Sequence, residues 1–190
     1  MKTKRKGLFC LVILLTGAIY VAVQAQQKKD THRPDFSGGW KSKESISMGG
    51  NIVCCYDSGD RMLATTMKIA AHADFLTIDV ASSFPGTAPV TSQEKLTFDG
   101  KESRINHDPE RGKKFTVRLS ADRQTMTVNS IVHLTVPTAS DTTVRKQMIV
   151  YVTEVWNLSK DGKSITVQTT AKSDVYGEVC SWKTVFDKVN

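Results

Sequence analysis

One carboxylate in this chain stands where chemistry could use it. Between Thr143 and Leu158 the residues Met148, Val150, Val152, Trp156 and Leu158 share a parity, and Glu154 shares it with them. A strand turns successive side chains to opposite faces, so this spacing puts Glu154 among apolar neighbours. A lone carboxylate taken out of water is costly; it pairs with a cation, neutralises, or meets the polar end of a ligand. In the last case Met126, Met148, Val152, Trp156 and Trp182 line an apolar pocket around Glu154 for a small apolar or amphipathic molecule. The competing readings are a structural ion pair, a strand bulge that returns the carboxylate to solvent, and an acid or base inside a barrel enzyme.

Other chemistry-bearing residue types lack the spacing their chemistry needs. His32, His72, His107 and His133 are scattered, none at ligand distance along the chain from a Cys, a Glu or a second His, so no metal site is expected. No serine stands in a nucleophile-elbow or Ser-x-x-Lys pattern, and no glycine-rich phosphate loop occurs. No catalytic residue and no cofactor are therefore assigned, and a non-enzymatic protein is favoured over an enzyme. Lys113-Lys114 and Arg145-Lys146 are isolated pairs without interleaved aromatics, which argues against nucleic acid.

The elements that would position Glu154 begin after a leader. Lys2, Lys4, Arg5 and Lys6 precede an uncharged apolar run from Leu8 to Val23, and Val23-Gln24-Ala25 fits a signal-peptidase site. Residues 1–25 are expected to be a cleaved signal peptide, residues 26–35 a flexible leader, and residues 36–190 one domain. The mature protein would be secreted or periplasmic, with no stable membrane span and a monomeric state. The signal peptide carries four basic and no acidic residues, so the net charge of +7 falls to +3 on cleavage. That is an ordinary solvated surface.

Cys54, Cys55 and Cys180 remain after the leader, an odd count for an oxidising compartment. One bridge from the Cys54-Cys55 pair to Cys180, taken as Cys55–Cys180, is expected. It would close a loop worth roughly 4–5 kcal/mol in the chain-entropy description.

From Phe36 onward the pattern is β throughout. Short alternating runs rich in Val, Ile, Thr and Phe are separated by turn signals, and no stretch carries a helical period. Trp40 to Met48 alternates weakly, with Trp40 and Ile46 on one face, and Gly49 to Arg61 reads as a loop. Three similar hairpins follow, Leu96 to Ile105 around Asp99-Gly100, Leu119 to Val128 around Asp122-Arg123, and Leu158 to Val167 around Asp161-Gly162. In the final run, from Glu178 to Val189, Cys180, Trp182, Thr184 and Phe186 face inward. Sequential hairpins and long strands predict an all-β, antiparallel up-and-down meander of nine or ten strands closed into a barrel. A two-sheet sandwich is the alternative.

Gly38-Gly39-Trp40 resembles the Gly-x-Trp opening of the calycin superfamily of lipocalins, fatty-acid-binding proteins and avidins. Asp35 to Trp40, Trp156 to Lys163 and Phe186-Asp187-Lys188 also resemble small secreted bacterial lipocalin-like proteins, largely uncharacterised. The resemblance implies a barrel that Trp40 closes at one end under a basic residue of the last strand, Lys183 or else Lys188. It also implies carriage of a small ligand. The rival reading is a cell-envelope interaction module with a filled core, working through loops such as Pro85 to Pro89 and Pro137 to Thr142.

Overall fold

The alternation read along the chain is realised as ten antiparallel strands in a computed structural model, which describes residues 35–49, 61–82, 88–108, 111–137, 144–175, 177 and 179–189. In chain order they are β1 (Gly38–Gly49), β2 (Thr66–Ala71), β3 (Phe75–Ser82), β4 (Val90–Thr97) and β5 (Ser103–Asp108), then β6 (Arg111–Leu119), β7 (Thr125–Pro137), β8 (Arg145–Leu158), β9 (Ser164–Ser173) and β10 (Val179–Val189). A 3-10 turn, Arg61–Leu63, leads into β2.

All ten form one sheet in the order β4-β3-β2-β1-β10-β9-β8-β7-β6-β5, curled into a nearly closed barrel. The meander is therefore joined through its ends, because β1 ladders with β10 from Gly39–Val189 to Gly49–Ser181. The opening falls between β4 and β5, although these strands are consecutive. The expected hairpin around Asp99-Gly100 makes its turn, with Gly100 at a φ of 69°, but its strands do not ladder. Thr97 and Ser103 hydroxyls meet at 3.5 Å beside that turn, and β4 approaches β6 beyond it.

The other two expected hairpins are built alike. In each, a serine hydroxyl bonds an aspartate two residues on and accepts the amide that restarts the ladder: Ser120 with Asp122 and Thr125, Ser159 with Asp161 and Ser164. The left-handed position falls to Arg123 in one turn and Gly162 in the other. The Ser159 hydroxyl and the Lys163 amide, both donating to Asp161, hold that carboxyl below the usual aspartate range.

The short turns, at residues 72–74, 98–102, 120–124 and 159–163, share one rim with the start of β1 and the end of β10. The connections at the opposite rim, β1 to β2, β3 to β4 and β7 to β8 among them, are mostly longer.

Parity decides the interior. Along β8 the buried positions are Met148, Val150, Val152, Glu154, Trp156 and Leu158. β1 departs from expectation: a bulge between Ser42 and Glu44 shifts its register against β10, and Ile46 turns outward, 43% exposed, away from the face of Trp40. The apolar interior falls into two clusters. One gathers Trp40, Met126, Val128, Trp156, Ile165 and Phe186 near the short-turn rim. The other gathers Val132, Leu134, Met148, Val150, Val152 and Trp182 toward the far rim. Cys180 belongs to the second and carries a free, buried thiol. Its expected partner Cys55 lies outside the described residues, as do residues 26–34 of the leader and most of both candidate loops, Pro85 to Pro89 and Pro137 to Thr142.

Candidate functional site

A band of buried polar side chains separates the two apolar clusters, and Glu154 is at its centre. The β8 parity brings this carboxylate inward with no solvent exposure. Arg61, from the 3-10 turn, reaches into the barrel and meets it with a two-pronged grip. Nη2 donates to Oε1 at 2.6 Å and Nε to Oε2 at 3.1 Å. The Trp156 indole N–H, two residues along the same strand, donates to Oε2 at 3.0 Å.

The same guanidinium holds a second carboxylate. Arg61 Nη1 pairs with Glu94 of β4, and the Arg61 backbone N–H donates to Glu94 Oε1 at 3.3 Å. Its remaining face lies over Phe115 of β6, 5.6 Å from the ring centroid. One planar cation thus bridges β4 and β8, strands on opposite sides of the barrel opening. A guanidinium suits this place because its planar fork grips one carboxylate with two bonds while another N–H reaches the second, a fixed geometry that an ammonium lacks.

The positions read from the sequence as a ligand pocket do not form one continuous lining. Met126 and Trp156 pack in the short-turn cluster. Met148, Val152 and Trp182 pack in the far cluster. Glu154 and Arg61 lie between them. The space left beside Arg61, Trp156, Val167, Thr184 and Phe186 is about 10 Å³, at the lower limit for a single water. Two buried hydroxyls, Ser130 Oγ on β7 and Thr169 Oγ1 on β9, have no hydrogen-bond partner among the described residues.

At the short-turn rim, Trp40 is fully buried and its indole N–H donates to the Phe36 carbonyl at 2.9 Å. The cation over its ring is Lys188, 5.3 Å from the centroid, and not Lys183. Parity explains the difference: Lys188 is the ladder partner of Trp40, whereas Lys183 faces outward between buried Trp182 and Thr184 and pairs with Ile46. Gly38 takes a φ of 136°, and a Cβ there would stand 2.6 Å from Lys188 Cε. The φ at this point is one that side-chain-bearing residues rarely adopt, which is the reason for glycine there, and any side chain would also displace the end of Lys188.

Arg61 and Glu94 were missed by sequence reasoning for different reasons. Glu94 was legible, since it shares parity with buried Leu96 on β4 in the way that Glu154 shares it with Trp156. Arg61 was not. It follows a long connection, carries no periodicity, and enters the barrel through a fold that closes strands distant in sequence.

Chemically, the arrangement is a saturated ion cluster. Both Glu154 oxygens are engaged by Arg61, and no solvent reaches the carboxylate for proton exchange with a substrate. Among the described residues, no three His, Cys, Asp or Glu side chains gather where a metal ion could be held. Among the described residues, a hollow of about 680 Å³ lies outside the barrel over β2 to β4 and another of about 300 Å³ over β6 to β8. No family model, no curated protein and no solved structure matches the chain, so its fold and the geometry of this cluster are what any functional reading must start from.

Proposed function

We propose that this protein is a secreted, non-enzymatic recognition module whose barrel interior is a filled scaffold and whose work is done on the outer surface. The observation that carries this reading is the Arg61–Glu154–Trp156 cluster. The carboxylate that would greet a ligand is already held by three donors, and the space left beside Arg61 and Trp156 is about 10 Å³. A drug-sized ligand site needs roughly 300 Å³ or more. Small barrels filled by their own side chains are a known solution to closing a sheet.

A second reading keeps the lipocalin-like analogy and places a small apolar or amphipathic molecule inside. It is favoured by Ser130 Oγ and Thr169 Oγ1, two interior hydroxyls that a ligand could satisfy. Mass spectrometry of protein purified from an oxidising compartment separates the two. The outer-surface reading expects equal masses under native and denaturing conditions, apart from bound water. A native excess that vanishes on denaturation would overturn it in favour of the carrier.

A further inference from the structure

The outer face of β5 to β10 carries a row of side chains set by register. Arg104 pairs with Lys114, Lys114 with Ile131, Ile131 with Tyr151, Tyr151 with Lys172, and Lys172 with Val179. Three cations, a tyrosine 52% exposed and two exposed aliphatic residues thus cross six strands in line. Two residues along each strand, a parallel row runs Thr116, Asn129, Thr153, Thr170 and Ser181, with no charge in it.

The hollow of about 300 Å³ lies where the rows meet, walled by Lys114, Thr116, Asn129, Ile131, Tyr151 and Thr153 with Glu102 at its edge. Thr153 Oγ1 donates to Asn129 Oδ1 at 3.0 Å, which leaves the Asn129 amide nitrogen to donate outward. Glu102 is held by Arg104 at 3.0 Å and Lys114 at 3.9 Å, so the row keeps a net positive charge. The larger hollow over β2 to β4 lacks this character. Its Lys68 and Asp79 stand opposite each other in register and balance, and no aromatic side chain faces outward from it.

We infer that this face binds an acidic polysaccharide, a chain of uronate sugars lying across the strands. The charge complementarity is direct: carboxylates meet Lys114 and Lys172. Adjacent strands are roughly 4.8 Å apart, the scale of one sugar ring, so the hydroxyl and amide row offers a partner at each step. Tyr151 supplies a flat surface for the apolar face of a ring. Glu102, a carboxylate at the hollow's edge already paired with Arg104 and Lys114, can also accept from sugar hydroxyls. A single aromatic does not provide the successive stacking surfaces that single-stranded nucleic acid uses. This assignment rests on the outer-surface reading and names its partner.

Native affinity electrophoresis through gels containing polygalacturonate, with neutral dextran as control, tests it. The wild-type protein should be retarded by polygalacturonate alone, and less so as salt is raised. Tyr151→Ala and Lys114→Ala should each weaken retardation about threefold to tenfold, the scale of one exposed aromatic or charge contact. Tyr151→Phe should retain it, and Lys68→Ala, on the other half of the sheet, should match wild type. Absence of retardation overturns the inference. So does an equal loss in Lys68→Ala, which would mean unspecific charge attraction. Retardation by polyphosphate or capture by anionic vesicles equal to that by polygalacturonate overturns it as well. The two proposals fail separately: missing retardation with equal native and denatured masses removes the polysaccharide, while a co-purified internal molecule removes the filled-scaffold reading.

Discussion

At the residue scale the balance of the interior turns on Arg61. One guanidinium serves Glu94 and Glu154, so its removal strands two buried carboxylates. Breaking a buried ion pair by deleting one partner typically costs about 3–5 kcal/mol, because the remaining charge is left without compensation. Arg61→Met is expected to lose stability on that scale in urea denaturation, with the midpoint falling at unchanged slope. Replacing all three ionic groups together, as Arg61→Met with Glu94→Leu and Glu154→Leu, should recover much of the loss, since an apolar replacement removes the desolvation cost as well. If the triple variant is no better than Arg61→Met, the cluster is not the compensated ion group described here.

At the element scale, the alternation of β8 and β10 was readable because a strand's burial follows parity and nothing interrupts it. Two hairpins were readable because Asp122-Arg123 and Asp161-Gly162 carry their turn chemistry locally. Ile46 was misread because a bulge costs one residue of register and leaves no mark in a weakly alternating run. The Asp99-Gly100 turn was recognised, but the strand pairing expected across it does not form, since turn chemistry does not say whether the flanking strands stay side by side. The outcome is a pair of strand edges at β4 and β5, and edges invite association. Lys95, exposed on β4 with its ammonium 4.1 Å from the Phe75 centroid, is a charge of the kind that discourages it. Lys95→Val is expected to raise concentration-dependent association in size-exclusion chromatography, with monomer content falling as loading rises. Unchanged elution across the same range would show that the edge is protected by something other than this charge.

At the scale of the whole molecule, closure depends on one ladder between the first and last strands. That ladder joins residues far apart in sequence, a costly loop to close, and it places the buried Trp40 beneath Lys188. The barrel class was legible because ten strands of alternating pattern need their edges covered. The location of the opening was not, because it depends on which two neighbours fail to pair.

That opening also has a consequence for the order in which the chain is strung. Suppose the end of β10 is joined by a short linker to the start of β1, and the chain is cut at Gly100. The new polypeptide runs β5 to β10 and then β1 to β4, which is the spatial order of the sheet from one edge to the other. Each strand then ladders with its neighbour in sequence, and the former end-to-end closure becomes a local hairpin. Such a circular permutant should keep the far-ultraviolet dichroism of the parent and refold faster, because local contacts lower the entropy spent before pairing is rewarded. The natural chain, read this way, is a linear ribbon whose two ends have been placed in the middle.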